Sequence, residues 1–164
     1  MTPHYLNKSY GKIYISADSQ RQITFIRSAT RAAKAKNFQC LYPPSQSGGP
    51  SYETMLRKVL DWLNESIFIV MDVTPHRMGN RWVTNPGVLI EFGIIAATDK
   101  LDQLSLFREE SSPINRIHPF IRAKEIIPYS VNHPRILTRL IKEEIDKFIK
   151  ARLHRPKSPI RPYG

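Results

Sequence analysis

The chain has 164 residues, 41% apolar and 10% aromatic, enough for a single domain to bury roughly 70% of the surface that its unfolded form exposes. Lys and Arg number 25 against 14 Asp and Glu, and the formal charge of +11 attracts phosphates, nucleic acid or acidic lipid without choosing among them. The single cysteine, Cys40, excludes an internal disulfide, and the five scattered histidines have no zinc spacing. No run nears the roughly 18 apolar residues of a membrane helix or resembles a signal peptide, so a soluble, cytoplasmic chain with no metal and no membrane contact is expected.

Gly11 to Ser16 is a β-branched and aromatic run that stops at the turn formers Asp18 and Ser19, which predicts a first strand. From Ser19 to Lys36, Ile23, Ile26, Ala29, Ala32 and Ala33 recur at three- and four-residue intervals, predicting an amphipathic helix that Asn37 closes. Phe38 to Tyr42 reads as a second strand, and the proline- and glycine-rich residues 43–50 as a loop with neither a Walker lysine nor a G-x-G-x-x-G spacing. Ser51 opens a second helix through Met55, Leu56, Val59, Leu60 and Leu63.

Ile67 to Met71 shows no polar alternation, as in a parallel strand covered on both faces, and it ends at Asp72. Residues 75–86 read as a polar loop, Gly87 to Lys100 as a helix buried on nearly all sides, and Gln103 to Phe107 as a fourth strand. Ile126 to Tyr129 is a fifth strand weakened by Pro128, and Pro134 to Leu153 a long closing helix. Strands alternating with helices imply right-handed βαβ units. The expected fold is a three-layer α/β, Rossmann-like (flavodoxin-like) domain with a mainly parallel five-stranded sheet over residues 1–153. A basic, proline-rich tail over 154–164 follows; it offers a contact for nucleic acid or a solvated terminus. Ligands of such sheets bind outside the carboxyl ends of the strands, so Ser16, Asp18, Asp72 and the start of the helix carrying Glu91 are expected on one rim.

Glu91 interrupts an otherwise apolar run. It is either a first-turn carboxylate favoured by the helix dipole or a carboxylate aimed into the cleft. Gly87 would let a ligand approach the backbone, and Gly93 would let the helix pack closely on the sheet. Asp72 is its companion in the cleft or the cap of an Asx turn. Arg77 and Arg81 are phosphate candidates or solvated loop charges, and Trp82 stacks on a base or packs its loop down.

The block Asp72-Val73-Thr74-Pro75-His76-Arg77-Met78-Gly79, the block Asn85-Pro86-Gly87-Val88-Leu89-Ile90-Glu91-Phe92-Gly93-Ile94-Ile95-Ala96-Ala97, and the opening Lys12-Ile13-Tyr14-Ile15-Ser16 resemble the nucleoside 2-deoxyribosyltransferase superfamily and its TIR-like relatives. The resemblance implies cleavage or transfer at the N-glycosidic bond of a nucleoside or nucleotide, with no cofactor required and NAD as a further substrate. It implies that Glu91 attacks or stabilises the anomeric carbon, that Asp72 orients sugar or base, and that Ser16 to Asp18 line the pocket. Arg77, Asn85 and Gly87 complete the set of binding candidates. It also implies a homo-oligomer, which the apolar helix 87–97 calls for unless residues 101–125 cover it. Breaking such a bond builds positive charge on the sugar, which a carboxylate in a dry cleft stabilises or captures. Asn85-Pro86 stands where the transferases carry an acidic residue, so the donor for a departing purine is unassigned, whereas nicotinamide leaves NAD already neutral. A non-catalytic nucleotide sensor and a nucleic-acid-binding protein are the competing functions.

Overall fold

The computed structural model describes residues 11–42 and 52–154. The loop expected at 43–50 and nearly all of the basic tail lie outside the described residues. In chain order the elements are β1 (Lys12–Ser16), α1 (Ile23–Ala35), β2 (Gln39–Leu41), α2 (Tyr52–Glu65), β3 (Ser66–Asp72), β4 (His76–Met78), β5 (Arg81–Val83), α3 (Pro86–Ala97), β6 (Leu104–Glu109), α4 (Pro119–Arg122), β7 (Ile126–Tyr129) and α5 (Pro134–Leu153). Five strands form one sheet in the order β2-β1-β3-β6-β7, and every pairing in it is parallel. This is the doubly wound, flavodoxin-like order, which reverses direction between β1 and β3.

The two faces of the sheet feed two separate cores. Ile13, Ile15, Phe68, Val70 and Phe107 pack under α1 and α5, with Phe25, Leu137 and Ile141 from those helices. Tyr14, Ile69, Met71, Leu104 and Leu106 point the other way and pack under α2 and α3, with Leu63, Val88 and Ile95. The period of two along each strand produces this division. β3 lies in the middle of the sheet and is covered on both sides, which explains its unbroken apolar run. Pro128 is tolerated because β7 is an edge strand and the proline itself is exposed.

Asn37 closes α1 as its sequence position implies. It takes φ 61, while Asn37 N donates to Lys34 O and Phe38 N to Ala33 O, the paired bonds of a Schellman motif. α3 ends the same way, with Asp99 at φ 57 and Lys100 N donating to Ile95 O. No helix among the described residues is long and apolar enough to cross a membrane.

Two expectations need correction. Residues 75–86 are not an open loop: His76–Met78 and Arg81–Val83 pair as an antiparallel hairpin across the two-residue turn Gly79–Asn80, with Gly79 at φ 59. α3 is not buried all round either. Only Val88, Glu91 and Ile95 are buried, and Leu89 and Ile90 remain 36% and 41% exposed. Gly93 is exposed, and a Cβ there would meet nothing within 4 Å, so close packing on the sheet is not its role.

The left-handed Asp99 pays for its β-carbon and also sets a negative charge at the negative end of the α3 dipole. Asp99→Gly is expected to raise stability by about 1 kcal/mol, read as a higher urea midpoint at unchanged slope.

Candidate functional site

The reversal in strand order leaves room above the ends of β1 and β3, and a cavity of about 530 Å³ opens there, within the range that holds small ligands. The turn from Ala17 to Arg21 forms one wall, and Met55, Leu56 and Val59 of α2 form a second. His76, Met78 and Val83 of the hairpin form a third, and Asn85 to Val88, Ile90 and Glu91 close it from α3.

Glu91 shares the buried stripe of α3 with Val88 and Ile95, one turn to either side, and its carboxyl group faces Tyr14 and Ser16 of β1. It is 8% exposed, while Tyr14 and Ser16 are wholly buried. Glu91 Oε2, Tyr14 Oη and Ser16 Oγ all lack a hydrogen bond of normal length and angle. Together they form a polar layer under the cavity, of which Glu91 alone belongs to the cavity lining. Burial pushes the Glu91 carboxyl up to about 7, with the Ser16 and Tyr14 hydroxyls pulling it part of the way back. Burial and the Glu91 charge together hold Tyr14 in its neutral, donating form.

Asp18 caps the turn before α1. Its Oδ1 accepts from Gln20 N at 3.0 Å and Arg21 N at 3.2 Å, and the Asn85 side chain also bonds to it. Burial would raise its pKa, but Asn85, the two amides and His76 outweigh that and hold it below the usual carboxylate range. Asn85 is also the N-cap of α3, its Oδ1 accepting from Gly87 N at 2.8 Å. A Cβ on Gly87 would lie 3.1 Å from that oxygen, so the glycine keeps the cap tight at the cavity mouth. Among the described residues no three His, Cys, Asp or Glu side chains gather to hold a metal ion.

Asp72 does not share this site. It lies on the α1–α5 side of β3, two residues from Val70, and is 2% exposed. Its Oδ1 accepts from Thr74 N at 2.7 Å, an Asx turn, and its Oδ2 accepts from the Tyr129 hydroxyl. Burial pushes it up to about 6, against the pull of Thr74 and Tyr129. Arg77 is also elsewhere: it alternates with His76 and Met78 on β4, faces away from the cavity with its cross-strand partner Trp82, and donates Nε to Gly79 O at 3.2 Å. Of the seven site residues expected from the sequence, Asp18, Asn85, Gly87 and Glu91 line the cavity, Ser16 lies directly beneath Glu91, and Asp72 and Arg77 stand apart. His76, Arg21 and the apolar α2 wall were not anticipated. The Gly79-Asn80 dipeptide was the available signal, because a hairpin there puts residues 76 and 78 on one face.

No family model matches the chain, and no curated protein matches it. Among solved structures, a 2-deoxyribosyltransferase from Leishmania mexicana is similar over 63% of this chain and 68% of its own, at 20% identity and a TM-score of 0.49. The constitutive lysine decarboxylase of E. coli is similar over 93% of this chain but 21% of its own, at 13% identity and a TM-score of 0.38. Fold likeness at this level assigns no chemistry, and the site is read from its own geometry.

Because the folded carboxyl of Glu91 titrates near 7 against an ordinary 4.5, the native state holds that proton more tightly than the unfolded chain. Its contribution to stability is therefore full below pH 4.5 and is lost as pH rises to about 7. Glu91→Gln is expected to be more stable than the wild type at pH 8, by on the order of 3 kcal/mol at most, and to lose that advantage below pH 4.5 in parallel urea titrations.

Proposed function

We propose that this cleft cleaves or transfers the N-glycosidic bond of a nucleoside, with Glu91 acting at the anomeric carbon. The observation that carries this reading is a desolvated carboxylate in the lining of a cavity large enough for a sugar and a base. As the C1′–N bond breaks, the electron pair leaves with the base and positive charge grows on the sugar ring. The ionised Glu91 either adds to C1′ or stabilises that cation, and the low-dielectric floor strengthens the interaction. Tyr14 and Ser16, buried beneath it, act on its carboxyl group from below.

Charge favours a nucleoside over a nucleotide or NAD. The backbone amides of Gln20 and Arg21, at the β1–α1 turn where a phosphate would seat, already hold the Asp18 carboxylate. Among the described lining residues, Arg21 is the only permanent cation, and its charge acts on His76. Arg77, the phosphate candidate from the sequence, is directed elsewhere.

We also propose that a second copy of the chain covers the outward face of α3. Leu89, Gly93, Ala96 and Ala97 present no charge there on a molecule of +11, so two copies can meet without burying an ion. Light scattering in enough salt to screen the net charge is expected to give twice 19.0 kDa, and Leu89→Lys to return the single-chain mass.

Incubation with deoxynucleosides and, separately, with NAD, followed by chromatography of the free base, tests the activity. Base release from deoxynucleosides in preference to NAD is expected. It should fall as pH drops through about 7, where Glu91 takes up its proton. Glu91→Gln should lower it roughly a thousandfold while the fold is kept. Binding without turnover in the wild type would make the cleft a nucleoside sensor instead.

A further inference from the structure

Asp72 stands on the far side of the sheet from Glu91, yet it is connected to the cleft. The Tyr129 hydroxyl lies against Asp72 Oδ2 and also 2.9 Å from Gln22 Oε1, and Gln22 Nε2 lies 3.4 Å from His76 Nε2. Tyr129 is 2% exposed and Gln22 3%, so water does not interrupt the row. His76 ends it, in the cavity wall, with Nε2 engaged by Gln22 and Nδ1 left to a ligand.

The number of hydrogens in this row is limited. Tyr129 supplies one, and a carboxylate supplies none. When Asp72 is ionised it can only accept, so the Tyr129 hydrogen points to it and the Tyr129 oxygen must accept from the Gln22 amide. The Gln22 carbonyl then faces His76, which must carry its hydrogen on Nε2. When Asp72 is protonated the row reverses: Asp72 donates to Tyr129, Tyr129 to Gln22 Oε1, and Gln22 Nε2 to His76 Nε2, so the ring hydrogen sits on Nδ1. The Gln22 orientation in the structure is the second of these.

We propose that His76 is a hydrogen-bond donor to the ligand of the cleft and that Asp72, acting through Tyr129 and Gln22, decides which ring nitrogen holds the hydrogen. The role given to His76 rests on the nucleoside reading of the cleft. In the Nδ1–H form it donates a hydrogen bond to a ring nitrogen of the departing base and eases the negative charge that builds there as the C1′–N electron pair moves onto the base; the hydrogen stays on Nδ1, and the base takes its proton from water as it is released. Asp72, Tyr129 and Gln22 are positioning residues, since none of the three lines the cavity.

The charged groups around the row set its working range. Burial holds Asp72 near 6, Thr74 and Tyr129 oppose that shift, and Glu109 at the end of β6 adds to it. His76 is held below its ordinary value by burial and by Arg21, with Asp18 and Glu109 pulling the other way, which favours the neutral ring that the row requires.

Asp72→Asn provides the test, because an amide in that place accepts from Thr74 N with its oxygen and donates to Tyr129 with its nitrogen, as the protonated acid does. Two-bond proton–nitrogen spectra of the histidine-labelled protein, assigned through His76→Asn, are expected to show Nδ1–H below pH 6 and Nε2–H above pH 7 in the wild type. In Asp72→Asn they should show Nδ1–H at both. One tautomer on both sides of pH 6 in the wild type, or the same change in Asp72→Asn, overturns the proposal, and the wild-type arm holds whether or not the variant folds. Base release should mirror the spectra: in the wild type an alkaline fall above pH 6 to 7 joins the acid fall set by Glu91, so activity peaks narrowly between the two, and Asp72→Asn keeps the acid limb and loses the alkaline one. If no nucleoside is cleaved but the tautomer follows Asp72, the row stands and the glycosidic reading fails.

Discussion

Side chains alternate along β1 and β3, and that period of two decides which acidic group meets a ligand and which serves the interior. On β1 it turns Tyr14 and Ser16 toward α3, beneath Glu91, and Ile13 and Ile15 toward α1 and α5. On β3 it sends Asp72 to the α1–α5 side with Phe68 and Val70, although Asp72 stands at the very strand end where a ligand would be sought. A shift of one residue in β1 would leave Glu91 facing isoleucine, and the same shift in β3 would turn Asp72 to the α2–α3 side.

Placing Glu91 then depends on how α3 is held. Lys100, just past the helix, donates Nζ to Leu63 O at 2.5 Å and to Asn64 O and Ser66 O at 3.5 Å, closing the end of α2 and the start of β3 with one cation. At the other end Asn85 caps the helix and reaches Asp18. The helix is thus fixed to β3 at its carboxyl end and to the β1–α1 turn at its amino end, which are the two strands that border the cleft. An apolar helix fixed this way can carry one buried carboxylate that is desolvated and kept weakly acidic.

Much of the architecture was legible because the relevant signals are local. The unbroken run Ile67 to Met71, the spacing of Ile136 to Ile149, and Asn37 as a helix stop each follow from the residues themselves, and five strands with a parallel order appear as read. Glu91 was legible for the same reason: a carboxylate inside an apolar helix is an anomaly in one dimension. Asp72 was not, since the face of β3 to which it points depends on register with β1 and β6, and its partner Tyr129 lies 57 residues away. The exposure of α3 was hidden by hydrophobicity, which says that a surface prefers cover but not whether the same chain supplies it. The hairpin was written in Gly79-Asn80 but masked by the polar residues around it.

That hairpin is paired with itself alone, as a two-stranded sheet apart from the main one. Two-stranded ribbons have little stability of their own, so one wall of the cleft, the wall with His76 and Met78, can loosen while the five-stranded sheet keeps every hydrogen bond. The reach between His76 and Gln22 is then both a polar contact and a latch. Because His76 belongs to that separate ribbon and Gln22 stands just before α1, their polar contact joins the hairpin to the main fold at the wall of the cleft.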